Sequence, residues 1–444
     1  MQDGFHRGRV LVRRYGPTAP MWRRRVAILS GAVAVGLIAI SFAAIADAAA
    51  AQFDALVERW WWVPLFLTPA GFAALVWATD RWAPASRGSG IPQIIAAKRE
   101  PANATEKLVS AQTAVGKFII TGCALLVGAS VGREGPTVQI GATVMAYAHK
   151  IMRVPLRASV LVAGGAAGVA AAFNTPLAGV AFAIEELAAA YEQRMTLLVM
   201  AAVLIAGMVA QGVGGDYVYF GVVGETLPLR QVLYLAPVAG IVGGVTGGWF
   251  ARLMLWSIRS GAARIAQGRP VLFAFGCGVV VALLGVATGL TWGTGYSPAR
   301  AIIDGTNAPM WFGPAKFLAT LATAAAGLPG GIFAPSLSTG AGLGNLLRLL
   351  FPGSPGGAVV LLGMVAYFTG VVRAPLTSVV ILSEATASRE LMLPLLATAL
   401  IADAAAQFVN RERLYHGLSH AFLPPGTPHD DDYEDHHDDP PLPG

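Results

Sequence analysis

Gly132-Arg133-Glu134-Gly135-Pro136 and, 199 residues further on, Gly331-Ile332-Phe333-Ala334-Pro335 share a Gly-x-x-x-Pro frame inside long apolar stretches. The same offset carries Lys117-Phe118 onto Lys316-Phe317, Thr121 onto Thr320, Pro176-Leu177 onto Pro375-Leu376 and Glu185 onto Glu384, without a gap. Matches of Gly or Ala mean little in so biased a composition. A Lys, two Pro and a Glu held in one register over about 70 residues mean more, and a period this long indicates two fused halves, not a solenoid array.

Composition places those halves in lipid. Of 444 residues 55% are hydrophobic and 13% charged, whereas a soluble domain carries about 25% charged residues. The uncharged run from Val26 to Ala46 is too long for a signal-peptide core and is followed by many others, among them 158–184, 231–250, 271–299 and 317–347. Arg7, Arg9, Arg13, Arg14, Arg23, Arg24 and Arg25 precede it against a single acid, Asp3, which predicts a cytoplasmic N-terminus. The first 428 residues hold 31 bases and 18 acids, an excess suited to loops facing an anionic leaflet and not to a nucleic-acid stripe. Cys123 and Cys277 stand alone in apolar runs, so neither a disulfide framework nor a thiolate metal site is expected. The tail HDDDYEDHHDD (429–439) reads as a solvated, disordered segment in preference to a metal site. The expected organisation is a basic N-terminus (1–25), a first membrane repeat (26–215), a second repeat with a C-terminal pore helix (216–420) and the acidic tail (421–444).

Several of these runs are too short or too broken for simple spans. FNTP (173–176), GTGYSP (293–298) and GLPGGIFAP (327–335) interrupt them, and non-helical backbone at membrane depth survives only in protein or beside a watery cavity. When the same break recurs in both halves, the site belongs at their interface. Each Gly-x-x-x-Pro reads as a helix start, with Gly for the turn and Pro at the first helical position. Two such starts converging offer free N–H groups and positive dipole ends to a small dehydrated anion. Gly88-Ser89-Gly90-Ile91-Pro92 repeats the grammar and adds a hydroxyl. Ser89 serves either as an N-cap or as an anion ligand, and the two roles are compatible.

GSGIP at 88–92, GREGP at 132–136 and GIFAP at 331–335, in that order, resemble the CLC family of chloride channels and proton-coupled chloride antiporters, and a prokaryotic-type member, without the cytoplasmic CBS pair of many eukaryotic relatives, is expected. The likeness runs from about Val26 to His420. It implies an all-α polytopic membrane protein of two antiparallel, inverted repeats of tilted and broken helices, assembled as a homodimer with one pore per subunit. It also implies a chloride site at Ser89, Gly90 and Ile91, at the backbone amides around Ile332 and Phe333, and at the hydroxyl of Tyr415. Nitrate-selective plant relatives have Pro at the serine and the fluoride-exporting branch lacks the GSGIP pattern, so Ser89 favours chloride. Chloride and protons are the expected partners, with no cofactor, no metal and no nucleic acid. The expected location is a bacterial cell membrane, with both termini cytoplasmic.

Eleven acids lie between residues 101 and 410 and no histidine between 150 and 415, so proton carriage falls to carboxylates. A carboxylate at mid-span costs about 3 kcal/mol and is usually functional. Glu134, two residues before Pro136, can sit where the helix-start N–H groups point and compete with the anion until a proton releases it; the resemblance assigns it this gating role. Glu185 has a repeat partner, Glu384, and reads as architectural; Glu186 falls on Ala385 and is free for a one-sided task, which the resemblance identifies as internal proton transfer. The duplicated Lys117 and Lys316 are expected to satisfy buried carbonyls or acids. Two rivals remain: a passive chloride channel on the same fold, and an intramembrane hydrolase using Ser130 of Gly128-Ala129-Ser130-Val131-Gly132. The latter would need a strand-to-helix elbow and a downstream histidine.

Overall fold

The computed structural model describes residues 19–99, 101–104, 106–187, 193–215, 218–259, 268–306 and 308–423. Arg7, Arg9, Arg13, Arg14 and the acidic segment 429–439 lie outside the described residues. Eight principal helices run through the first half: α1 (Ala19–Arg59), α2 (Pro64–Trp82), α3 (Ile91–Ala97), α4 (Ala111–Leu126), α5 (Glu134–Ile151), α6 (Ala158–Phe173), α7 (Pro176–Phe182) and α8 (Gln193–Gly214). The second half repeats them as α9 (Leu229–Arg259), α10 (Pro270–Thr288), α11 (Tyr296–Ile303), α12 (Phe312–Ala325), α13 (Phe333–Leu350), α14 (Gly356–Val372), α15 (Pro375–Thr386) and α16 (Met392–Val409), and α17 (Leu414–Ser419) closes the chain.

The duplication is exact in its punctuation. α6 stops at Asn174 and α14 at Arg373, both in the left-handed region (φ 59° and 63°), and each stop is followed two residues later by a proline that opens the next helix. A left-handed residue satisfies the last carbonyls, and a proline cannot extend the helix behind it. The repeat also extends further than the 199-residue offset revealed. α2 and α10 are both 19 residues long and correspond at an offset of 206, while the left-handed Gly88 and Gly90 correspond to Gly293 and Gly295 at 205. The shift arises because 29 residues separate Gly88 from Lys117 but 23 separate Gly293 from Lys316.

Packing follows the same symmetry. α5 lies along α6 as α13 lies along α14, and the contact points are glycines: Gly141 faces the carbonyl of Gly164, and Gly340 that of Gly363. Small residues let helix backbones approach where lipid supplies no hydrophobic drive, which accounts for much of the glycine excess. Among the described residues five helices are long and apolar enough to cross a membrane: Met21–Arg59, Leu197–Gly214, Leu229–Arg259, Pro270–Thr288 and Arg389–Val409. The chain is a multi-pass integral membrane protein in which the central helices α5, α6, α13 and α14 are almost wholly buried by the others.

Candidate functional site

The two Gly-x-x-x-Pro segments meet. Gly132 N–H donates to the Gly331 carbonyl at 2.7 Å and Gly331 N–H to the Gly132 carbonyl at 2.8 Å, an antiparallel pair whose members are related by the repeat itself. A side chain at Gly331 would come within 2.9 Å of the Gly135 amide nitrogen, so glycine is required for the two chains to approach. Immediately beyond this pair α5 begins at Glu134 and α13 at Phe333. Each proline is therefore the third helical residue, not the first. It still falls in the turn whose N–H groups have no intrahelical acceptor, so the polarity of the helix start is unchanged.

Glu134 occupies the meeting point. The residue is fully buried, and its carboxylate lies against its own N–H and that of Ala334 on the opposing helix start. Oε1 accepts a long bond of 3.5 Å from the Tyr219 hydroxyl, and Oε2 has no well-formed hydrogen bond. Arg133 turns away: it pairs with Asp47 at 2.6 Å and donates to the Ala43 carbonyl at 2.9 Å, both on α1. Residues near Glu134 line two cavities. The larger, of about 730 Å³, is lined by Arg133, Tyr219, Asp47, Asp54 and Glu58, and the other, of about 240 Å³, by Ser89, Ile332 and Tyr415. A side chain at Gly135 would run into Ser89, which lines the second cavity.

The remaining sequence-predicted anion ligands gather on that second side. Gly90, not Ser89, is the N-cap of α3, with φ of 106° and the Gly135 carbonyl so near that an added Cβ would lie 2.9 Å from it. The Ser89 hydroxyl is thereby released from capping. Ser89 Oγ and Tyr415 Oη are buried within interacting range of one another, yet neither has a well-formed hydrogen bond to the protein. Two orphaned hydroxyls at such depth call for an acceptor. Ile91 is fully buried as the first residue of α3, and Ile332 lines the cavity as the N-cap of α13. The Phe333 ring is held by Phe368, Phe182, Tyr415 and Phe173 at centroid distances of 5.0, 5.8, 5.9 and 6.3 Å. Its contribution at the site is thus its backbone, fixed in place by the aromatic cluster.

Glu185 and Glu186 diverge because residues 183–187 form one wide π-helical turn after α7. Glu185 crosses to the other half, accepting from Leu376 N–H at 3.1 Å and Thr377 N–H at 2.7 Å at the start of α15. Glu384 returns the contact, accepting from Leu177 N–H at 3.1 Å and Ala178 N–H at 2.8 Å at the start of α7. Glu186 instead points into the core, with neither carboxylate oxygen fully hydrogen bonded. Its nearest ring nitrogen is His416 Nδ1, 3.6 Å from Oε1. Tyr219 and His416 both escaped the sequence reading. The first lies in the connection between the halves, and the second follows Tyr415 in a stretch without a motif.

The lysines behave as the duplication implies. Lys117 Nζ donates to the Gly88 carbonyl at 2.7 Å, and Lys316 Nζ to those of Gly293 at 2.8 Å and Thr291 at 3.0 Å, holding the turns before α3 and α11. Ser130 sits in the turn between α4 and α5, its hydroxyl 2.9 Å from that of Thr320. Among the described residues no group of three or more His, Cys, Asp or Glu side chains is arranged to hold a metal ion.

The fold and sequence have known counterparts. The chain is similar to a slow cyanobacterial Cl⁻/H⁺ antiporter, with 25% identity, 90% of this chain and 98% of that one covered, and a TM-score of 0.78. It shares its fold with a eukaryotic CLC transporter (21% identity, 90% of this chain and 74% of that one, TM-score 0.71) and with a CLC-type fluoride/proton antiporter (21%, 85% and 94%, TM-score 0.74). A family model described as voltage gated chloride channel matches residues 70–407, about three quarters of the sequence. This chain belongs to that family, the CLC chloride channels and transporters.

Proposed function

We propose that this protein exchanges chloride for protons across the membrane, with Glu134 as the gate and Glu186 as the internal proton-transfer group. The observation that carries the reading is the position of the Glu134 carboxylate: it lies against the N–H groups of two opposed helix starts, where a transported anion would also be held. A carboxylate and a chloride compete for the same positive potential. Protonation removes the charge of Glu134, weakens its hold on the helix starts and frees the place for chloride. The anion is then bound by the Ser89 and Tyr415 hydroxyls and by the backbone at Gly90, Ile91, Ile332 and Phe333. Tyr415 lies within electrostatic reach of both Glu134 and Glu186, which supports assigning the two carboxylates to one path.

We further assign the halves as residues 26–215 and 216–420, and a homodimer with a separate pore in each subunit, in a bacterial cell membrane with both termini cytoplasmic. Chloride is cargo; no cofactor enters the scheme. The direct test is transport by purified protein in liposomes. An imposed chloride gradient should drive protons uphill, and chloride flux without proton movement would identify a passive channel instead.

Selectivity supplies a second test. A hydroxyl donates one directional bond that a compact spherical ion accepts well, so Ser89→Pro should lower the chloride-over-nitrate preference by about tenfold, equivalent to one hydrogen bond to an ion at about 1.5 kcal/mol. Anion competition measured by flux from loaded vesicles reads the ratio. An unchanged ratio would remove Ser89 from the filter.

A further inference from the structure

The two carboxylates of the proposed path are both buried, and the path therefore needs a group that brings protons to Glu186 from water. Glu186 is 0% exposed in its side chain. His416, on α17, is 25% exposed and holds Nδ1 at 3.6 Å from Glu186 Oε1. That separation is too long for a hydrogen bond and short enough for an ion pair, and a small rotation of either side chain would convert one into the other. Neither Glu186 oxygen nor His416 Nδ1 has a well-formed hydrogen bond elsewhere. One contact thus joins an under-bonded buried acid to an under-bonded, partly exposed base.

We infer that His416 is the proton-relay residue between solvent and Glu186, a role that rests on the exchange reading above. The step balances without any co-reactant. Imidazolium gives the Nδ1 proton to Glu186 Oε1, leaving a neutral carboxylic acid and a neutral ring that keeps its hydrogen on Nε2; rotation of the ring then turns the bare Nδ1 to solvent, where hydronium reprotonates it. Histidine is the side chain that gains and loses protons between about pH 5 and 8, which suits a relay open to the aqueous phase. The surrounding charged groups hold the corner without replacing it. Lys98, following α3, donates to the Leu187 carbonyl at 2.9 Å, and Arg413, preceding α17, reaches the Glu185 carbonyl at 3.5 Å. From α9, Arg259 is clamped to Glu412 by two bonds of 2.6 Å; from the end of α14, Arg373 pairs with Asp403 at 2.5 Å. Tyr415 and His420 flank the site on the His416 segment, and Glu185 is committed to the start of α15.

The test uses the full-length protein in liposomes, with proton and chloride flux recorded separately and Glu186→Gln run alongside. His416→Gln should slow proton flux by at least about tenfold while chloride flux persists, and added imidazole should restore part of the loss. In the parent protein proton flux should vary with pH on one side of the membrane, each side being varied in turn, and this dependence should vanish in His416→Gln. A flat profile in the parent overturns the relay even if the variant fails to fold. So does full proton flux in His416→Gln when Glu186→Gln has stopped it. If Glu186→Gln itself leaves proton flux intact, the exchange reading has failed at its root and the relay falls with it. Slowed flux that imidazole does not restore, with the parental pH profile retained, assigns His416 to packing and also overturns the proposal.

Discussion

Glu134→Gln should abolish proton movement while chloride continues to pass. The amide has nearly the shape of the protonated acid but can neither bind nor release a proton in the accessible range, so it mimics permanently one of the two states that the gate requires. Electrostatics determine the direction of the chloride effect. An ionised carboxylate is attracted by the free N–H groups and dipole ends of α5 and α13, and a neutral amide far less so. The anion site is then contested weakly or not at all. Proton flux should fall by about two orders of magnitude or more, as expected when a group that carries the proton is removed. Any dependence of chloride flux on pH at the larger cavity should disappear with it. Folding should be little affected, because the attraction lost at the helix starts is offset by no longer burying a charge, and the Tyr219 contact, at 3.5 Å, is weak. A monodisperse variant that still pumps protons under a chloride gradient would exclude Glu134 as carrier.

The sequence disclosed the repeat because a handful of residues are duplicated for mechanical reasons that allow little substitution. Gly132 and Gly331 pair with each other, Lys117 and Lys316 hold matching turns, and Glu185 and Glu384 hold each other's helix starts. What stayed hidden has equally physical causes. A gapless comparison cannot cross the six extra residues between Gly88 and Lys117, so the correspondence of α2 with α10 and of Ser89 with Thr294 appears only in three dimensions. The role of Ser89 as an uncapped hydroxyl depends on the left-handed Gly90 taking the cap position, which no residue count reveals. Tyr219 reaches Glu134 across 85 positions, and Glu186 reaches His416 across the whole second half. Contacts of that kind have no periodicity and leave no motif.

The adjacent glutamates give the sharpest separation of architecture from transport. Glu185→Gln keeps size and shape but replaces one acceptor oxygen with an NH₂ group facing the Leu376 and Thr377 amides, where only an acceptor is useful. It also removes the negative charge from the start of α15. A charge-assisted bond is worth about 1.5–3 kcal/mol when well buried, and partial exposure brings the expected loss to about 1–2 kcal/mol. Its thermal midpoint in detergent should therefore fall, and the symmetric change Glu384→Gln should lower it similarly, with the chloride-to-proton ratio unchanged in both. Glu186→Gln should do the reverse. Its oxygens have no well-formed hydrogen bond to lose, so stability should hold and chloride should flow, while proton flux drops to the level of Glu134→Gln. Chloride transport in this variant should still respond to pH at the larger cavity, since Glu134 remains titratable there. The assignment is falsified if Glu185→Gln uncouples protons and Glu186→Gln does not. Full coupling in both would pass the role to another acid. Glu384 would then be the next to test, despite its cap, because it is a carboxylate at a junction between the two halves.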